Sequence, residues 1–507
     1  MPTTVLNLRN IQGNSIGGFL KDFQANLFLT FKDSASGRAW IKEIADQVAH
    51  SSSDDVLEFN NQFSSLRDQK VKRPEELISA VWVNLAISFH GMSALQVKPA
   101  DLAAFPQAFR DGMAKRRATI GDLGASDPST WVSLSNNPNG VHAVLVLAAD
   151  HSHQLQQRVA AITGTAAFQA GISSFVNLPG RTRKDLPGHE HFGFKDGISQ
   201  PGIRGVDVPD DPIGNPNQGH PGQDLLWAGE FILGYATQIP TAKPGFDGPN
   251  PDPGNDSASG PGWTRDGSYL VFRRLAQDVA GFERSVAALA KSLGVSTDLA
   301  GAKLVGRYKS GAPSEKRKFQ PEPYSPPSVD PGDANAGNPA LGSSNTLNNN
   351  FEFGGDPQGG ICPLGAHIRK AYPRDEVTPA GPVDSESSTQ TRRLLRRGIP
   401  YGPSFDAHDP ASAAQQRGLL FLCYQNDIED HFEFVQKFWI NNANFPPVPG
   451  LPAPGEDPII AQSVSGPLLI DPTKPAVSIS HFVTTTGGEY FFSPSVSALQ
   501  DIGAGNI

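Results

Sequence analysis

Apolar runs and helix-period segments alternate along the first half of the chain in an order that predicts a mixed α+β unit. Strand-like runs rich in Val, Leu, Ile and Phe occupy residues 24–31, 79–89, 141–149 and 171–177. Apolar residues spaced for one face of a helix fall within residues 41–48 and 152–163. A strand-helix-strand unit that occurs twice in succession is the ferredoxin-like pattern.

The second half of the chain repeats this design. Strand-like runs occupy residues 230–236, 268–275, 418–425 and 481–492. The last run is expected to form a hairpin or a strand pair. Asp278 is placed to cap a helix, and residues 427–439 have a helical pattern. The sequence therefore predicts an α+β fold of two ferredoxin-like domains with long loop insertions, residues 1–228 and 229–507.

Composition narrows the class of protein. The 507 residues include 42 Lys and Arg against 51 Asp and Glu, a net charge of −9, which argues against a nucleic-acid partner. No apolar run is long enough for a membrane span, so no membrane partner is expected. The two cysteines, Cys362 and Cys423, exclude a disulfide scaffold and a four-cysteine zinc site. Two buried free thiols are the default, with one disulfide as the alternative.

Two local patterns indicate chemistry that their context does not support. Ser15 lies in a G-x-S-x-G pattern, but almost no chain precedes it that could form the sheet of a serine hydrolase. His189 and His191, with His220 nearby, could share a metal ion, but no third ligand has persuasive spacing. A glycine turn and loop histidines are the simpler interpretations.

Four other stretches are more informative as a set. They are G-F-K-D-G at residues 193–197, A-H-I-R-K at 366–370, L-R-R-G-I-P-Y-G at 395–402 and G-L-L-F-L-C-Y-Q at 418–425. In this order they resemble the dye-decolorizing peroxidases, most closely the fungal members. With the two ferredoxin-like halves, the resemblance covers essentially the whole chain.

The resemblance implies a haem peroxidase that uses hydrogen peroxide to oxidise dyes, phenols and other aromatic compounds by one-electron steps. His367 is then the proximal ligand of a non-covalent haem b (heme b, iron protoporphyrin IX), which fits the missing C-x-x-C-H motif. Asp196 becomes the distal acid–base that moves the peroxide proton. Arg396 supplies positive charge, and the family's pattern favours it over Arg397.

Further residues are carried over from the same motifs. Arg369 matches a position that contacts a haem propionate, and Leu419 and Phe421 match residues of the distal pocket. Asp427 matches a carboxylate that accepts from the second nitrogen of the proximal imidazole, with Asp430 as its rival. The alternative for Asp427 is a helix cap.

The same resemblance implies that bulky dyes are oxidised at the protein surface. Tyr401 is the expected electron relay and Trp439 a second candidate, although ordinary packing explains both. The fungal likeness also implies secretion, while the first ten residues show no signal-peptide pattern. The alternatives are a haem-binding or haem-processing protein on the same scaffold, and a serine hydrolase using Ser15.

Overall fold

The computed structural model describes residues 5–132, 134, 140–244, 248–314, 339–376, 387–463 and 465–507. The strands are β1 Phe23–Phe31, β2 Val81–Ser88, β3 Ala143–Ala149, β4 Ile172–Arg181, β5 Gly202–Ile203, β6 Leu225–Leu226, β7 Ala236–Gln238, β8 Pro253–Asp256, β9 Ser268–Gln277, β10 Leu395–Arg396, β11 Ile399–Tyr401, β12 Gly418–Gln425, β13 Ser465–Leu468, β14 Val477–Ser480 and β15 Val483–Ser493.

The α-helices are α1 Gly13–Ile16, α2 Ser34–Ala49, α3 Ser53–Asp68, α4 Phe89–Ala94, α5 Pro99–Ala104, α6 Gln107–Asp111, α7 Arg117–Ile120, α8 Ser152–Thr163, α9 Ala166–Gly171, α10 Val279–Leu293, α11 Thr297–Val305, α12 Pro339–Ser343, α13 His367–Ala371, α14 Ser387–Gln390 and α15 Val496–Ala504. Short 3₁₀ turns occur at Pro74–Glu76, Gly124–Ser126, Pro128–Thr130, Ala228–Glu230, Gly262–Thr264 and Ser412–Ala414. Two π-helical segments follow β12, at Ile428–Glu433 and Val435–Ile440.

A nine-stranded antiparallel sheet forms the centre of the molecule. Its order is β10-β12-β9-β15-β2-β3-β1-β4, with β11 also paired to β12. The first half contributes β4-β1-β3-β2, and the second contributes β15-β9-β12 with β10 and β11 as its fourth strand. Both halves therefore have the ferredoxin-like strand order. The predicted α+β fold with a duplicated ferredoxin-like pattern is confirmed.

The two repeats are joined edge to edge. Phe491 and Phe492 of β15 pair with Ser88 and Ile87 of β2. At the far ends of the sheet, β4 approaches β11 so closely that a Cβ on Gly180 would lie 2.4 Å from Cγ2 of Ile399. The sheet therefore curves towards a barrel, and the predicted division into residues 1–228 and 229–507 stays a prediction.

Helices cover the sheet where the apolar periodicity predicts them. Trp40, Ile41 and Ile44 of α2 are buried in the core of the first repeat. Asp33 caps this helix by accepting from the backbone N–H of Ser36 at 2.9 Å. The predicted cap of α10 is confirmed, since the Asp278 carboxylate accepts from the Gly281 N–H at 2.9 Å.

One strand prediction in the second half is wrong, and another gives the wrong number of strands. Residues 230–235 form a turn and an irregular buried segment, and only Ala236 belongs to a strand, β7. In this segment the Ile232 N–H donates to the Ala228 carbonyl and the Leu233 N–H to the Gly267 carbonyl. Residues 481–492 form no hairpin; they belong mainly to the single strand β15, with an irregularity between Thr485 and Gly488. An apolar run predicts burial, but periodicity alone does not settle which backbone partners it has.

None of the helices in the described ranges combines the length and the apolar character that crossing a membrane requires.

Candidate active site

A cavity of about 270 Å³ lies against strands β9 and β12 of the second half of the sheet. Its walls come from β9, β12, the loop at residues 190–199, the start of α13 and both π-helical segments. Much of the lining is apolar, including Phe192, Phe194, Leu275 and Val435. Leu419 and Phe421 also line it, as expected for residues two apart on one strand.

His367 begins α13 and lies in the cavity wall. Its Nδ1 is 2.7 Å from Oδ2 of Asp457, a carboxylate that is completely buried. The backbone N–H groups of Ile459 and Ile460 donate to the other carboxylate oxygen at 2.7 and 3.1 Å. In the described part of the chain Nε2 has no hydrogen-bond partner, so this nitrogen is available to a ligand in the cavity.

The His367 imidazole and the Asp457 carboxylate stabilise each other's charged form. Burial opposes the charged form of both groups, but the Asp457 carboxylate outweighs it and raises the pKa of His367. Burial is likewise outweighed at Asp457, where the imidazole and the two backbone donors lower the pKa. The Asp457 carboxylate therefore holds a proton on Nδ1. The lone pair of Nε2 is then available to bind a metal ion.

The prediction that Asp427 contacts the proximal imidazole is wrong. Its carboxylate accepts from the backbone N–H groups of Glu429 and Asp430 at 2.8 and 2.9 Å, which makes Asp427 the cap of the first π-helical segment. The rival Asp430 is 73% exposed and pairs with Arg392 at 3.1 Å. No motif marks Asp457; the available signal is an acidic residue directly before the apolar pair at residues 459–460.

Asp196 and Arg396 meet at the same cavity. Nη1 of Arg396 is 3.5 Å from Oδ1 of Asp196, and Nη2 donates to the Ser199 carbonyl at 2.9 Å. The neighbouring Arg397 points elsewhere, because its guanidinium donates to the carbonyls of Asn14 and Ile16. The structure thus selects Arg396 as the inward-facing arginine of the pair.

Arg369 does not line the cavity, so the prediction that it contacts a haem propionate is wrong. Its guanidinium is fully buried and bonds to the carboxylate of Glu376, to Asp356 at 3.3 Å and to the Cys362 carbonyl at 2.8 Å. Residues two apart on an α-helix are turned by about 200° from each other. His367 and Arg369 therefore cannot both face the cavity from α13.

Other arginines bring positive charge to the cavity wall, which suits an anionic group. Arg307, Arg374 and Arg393 line it. Arg307 donates to Oγ of Ser199 at 2.9 Å, and Arg374 donates to Oδ1 of Asn349 at 2.7 Å, both neutral acceptors. Burial lowers the pKa of Arg307 to about 9. Sequence reasoning missed all three, because they lie outside the motifs.

Tyr401 is not among the residues that line the cavity, and it is 7% exposed. The Arg274 guanidinium covers its ring at 4.4 Å, and its carbonyl lies 2.8 Å from Nε2 of His191. Trp439 is buried as well, stacked on Phe445. Neither aromatic ring offers a broad surface to solvent, and the relay role of Tyr401 stays a prediction.

The alternative chemistries find no support in the geometry. Ser15 is buried within α1. Across the described ranges no three or more His, Cys, Asp or Glu side chains form a group that could hold a metal ion. Cys362 and Cys423 are both free and buried, and burial raises the pKa of Cys362 to about 11.

Two family models and a curated relative match this chain. Residues 10–184 match the family model of the DyP dimeric alpha+beta barrel domain, and residues 346–445 match that of the Dyp-type peroxidase C-terminal domain. The dye-decolorizing peroxidase AauDyP1 of Auricularia auricula-judae is 34% identical over 98% of this chain and 87% of its own length.

Solved structures give the same result. A fungal DyP-type peroxidase from Auricularia auricula-judae superposes with a TM-score of 0.75 at 32% identity, covering 99% of this chain and all of the other. A dye-decolorizing peroxidase in complex with 2,6-dimethoxyphenol superposes with a TM-score of 0.74 at 30% identity, covering 98% of this chain and all of the other.

Proposed function

Since the chain belongs to the dye-decolorizing peroxidases and is a haem peroxidase, we propose that His367 holds the iron while Asp196 and Arg396 act on hydrogen peroxide. The observation that carries this assignment is the geometry of His367, whose Nδ1 is bound by the buried Asp457 and whose Nε2 is left for the cavity. A bound haem would supply the iron that binds peroxide and accepts electrons from donors.

The cavity wall fits this cofactor. Leu419, Phe421 and neighbouring apolar side chains suit a porphyrin face, and the arginines lining the cavity suit its propionates. The chain contains no C-x-x-C-H motif, so we assign a non-covalent haem b. Arg307 and Arg374 are the proposed propionate partners, because the hydrogen bonds described for them go to neutral acceptors.

Asp196 is the proposed proton carrier. Its carboxylate would accept a proton from the inner oxygen of peroxide and return it to the outer oxygen before the O–O bond breaks. The Arg396 guanidinium would stabilise negative charge on the departing oxygen. A second cavity of about 240 Å³ also includes Asp196 in its wall, together with His220, and we assign it as the route by which peroxide arrives.

The proposed electron donors are dyes, phenols and other aromatic compounds. The support is the family itself and the 2,6-dimethoxyphenol complex of a structural relative. For dyes too large for the cavity we propose that Tyr401 relays the electron. Because such donors are large and external to the cavity, we also propose that the protein is secreted. Tyr401→Phe should slow bulky-dye turnover and leave small donors unaffected; equal rates on both would remove the relay role.

The test of the assignment is reconstitution of the full chain with hemin. The wild-type chain should show a Soret band and bleach dye only with peroxide, and His367→Ala should lose both. A haem-processing protein on the same scaffold would keep the Soret band but show no bleaching that Asp196→Asn could abolish. A colourless wild-type chain, or a His367→Ala variant with an unchanged spectrum, would overturn the assignment.

A further inference from the structure

Tyr372 is the one tyrosine among the described residues that lines the cavity beside His367. It directly follows α13, five positions after His367, and is 9% exposed. Helix α13 therefore brings a phenol side chain and the proposed iron ligand to the same wall. Neither the proposed iron ligation nor the proposed proton transfer from peroxide uses this side chain.

The Tyr372 hydroxyl has a carboxylate as its hydrogen-bond acceptor. It donates to Oδ2 of Asp224 at 2.8 Å and accepts from Nε2 of Gln390 at 2.6 Å. Asp224 is 4% exposed, so the pair is shielded from bulk water. Proton transfer needs donor and acceptor within hydrogen-bond reach, and this pair meets that condition in the resting fold.

Two guanidinium groups lie over the Tyr372 ring. That of Arg393 is 3.5 Å from the ring centroid and that of Arg374 is 4.8 Å from it. A cation attracts the neutral ring but repels a positive charge that develops on it. Loss of an electron from Tyr372 is therefore favourable only if the phenolic proton leaves with it, and Asp224 is the group positioned to take that proton.

We propose that Tyr372 and Asp224 form a redox pair that stores one oxidising equivalent inside the protein. In this step Tyr372 gives one electron to the peroxide-oxidised haem. Its O–H bond breaks, and the proton forms a new O–H bond on Oδ2 of Asp224. The products are a neutral tyrosyl radical and a neutral carboxylic acid; an aromatic donor that supplies one electron restores Tyr372 as the proton returns. The proposal rests on haem binding in this cavity.

The chain offers matched controls. The Tyr235 hydroxyl donates to Oδ1 of Asp266 at 2.5 Å, and that of Tyr490 donates to Oε1 of Glu433 at 3.0 Å. Both tyrosines are buried and have carboxylate acceptors, but neither lines the cavity. They separate the effect of a carboxylate partner from the effect of a position beside the cofactor.

The experiment uses the reconstituted holoenzyme and one equivalent of hydrogen peroxide without a donor. Samples are frozen for electron paramagnetic resonance, and a parallel set is treated with a nitroso spin trap and digested for mass spectrometry. The wild type should show a tyrosyl signal and carry the trap on Tyr372. Tyr372→Phe should lower the signal at least fivefold, and Asp224→Asn should also lower it, because the amide is a poor proton acceptor. Tyr235→Phe should match the wild type.

Two results would overturn the redox pair: a Tyr372→Phe variant with the wild-type signal, or a trap found on other tyrosines alone. The Soret band and the thermal midpoint of Tyr372→Phe show whether this variant is folded and contains haem. If Asp224→Asn fails to fold, Tyr372→Phe alone still tests the proposal. A wild-type chain that takes up no hemin would instead overturn the proposed function, and the redox pair with it.

Discussion

Nδ1 of His367 lies 2.7 Å from Oδ2 of Asp457, a residue 90 positions further along the chain. The contact joins the first residue of α13 to an irregular segment beyond the π-helices, outside the stretch that matches the C-terminal family model. A buried carboxylate at this place fixes both the ring orientation and the tautomer of the proposed iron ligand.

Asp457→Asn should weaken haem binding about 10- to 100-fold, which is the usual effect of losing the carboxylate behind a metal-bound histidine. The amide cannot carry the negative charge that holds the proton on Nδ1. Transfer of haem to excess apomyoglobin measures the change as a faster rate of loss, and the Soret region should change as well.

Asp427→Asn is the matched control for that variant. Asp427 caps the first π-helical segment, and Asn caps a helix about as well as Asp does. Its haem transfer rate and thermal midpoint should equal those of the wild type. If Asp427→Asn released haem and Asp457→Asn did not, the assignment of the proximal carboxylate would be reversed.

Arg369→Met should destabilise the fold by about 3–5 kcal/mol, because it leaves the buried Glu376 and Asp356 carboxylates without their cation. Urea unfolding measures this loss. Arg9→Met removes an ion pair whose arginine side chain is 87% exposed, and should cost less than about 1 kcal/mol. If Arg369→Met had normal stability but weakened haem binding, the result would support the propionate contact predicted from the sequence.

The sequence motifs identify some of the candidate site residues and miss others. His367, Asp196 and Arg396 lie in contiguous motifs, and each of the three side chains lines the cavity. The positions of Asp457 and Arg369 could be seen only in the folded structure. A long loop brings Asp457 to the site, and the angle between neighbouring positions on α13 turns Arg369 away from the cavity that His367 faces. A motif records which residues are neighbours in the chain, but not which way a short helix rotates them.

The strand predictions divide in the same way. Strands β1, β2 and β3 follow from their apolar runs, since each contains a continuous buried segment of at least seven residues. The edge strand β4 is mostly exposed, and it extends to Arg181, beyond the predicted range of 171–177. The short strands β10 and β11 hold two and three residues, too few for a periodic pattern. The apolar residues at 231–235 are mostly buried, as their sequence predicts, but their backbone hydrogen bonds go to turns and loops and not to a strand.

Asp196→Asn should lower peroxide-dependent turnover about 10²- to 10⁴-fold, the usual contribution of a positioned acid–base group. Asn has nearly the same shape as Asp but cannot accept and return a proton. Haem uptake, read from the Soret band, should not change. Asp211→Asn, in an exposed loop, is the control and should keep wild-type turnover. Full activity in Asp196→Asn would remove the carboxylate from the proton path.

Glu489 on β15 should make the stability of the fold depend on pH. Its Oε1 accepts from the backbone N–H groups of Met113 at 3.0 Å and Tyr490 at 2.7 Å, and burial raises the pKa of Glu489 to about 7. The pKa of an unfolded Glu is about 4.3. Between these values the folded chain retains a proton that the unfolded chain releases, so the free energy of unfolding falls as pH rises through this window.

Glu489→Gln removes this dependence while its amide oxygen can keep both backbone bonds. Relative to the wild type, the variant should gain about 2–3 kcal/mol of unfolding free energy between pH 5 and pH 8, because the wild type must bury a charged carboxylate at the higher pH. Urea unfolding of both chains at the two pH values measures the difference. A difference between the chains that is the same at pH 5 and pH 8 would show that Glu489 titrates in the folded protein as it does in the unfolded one.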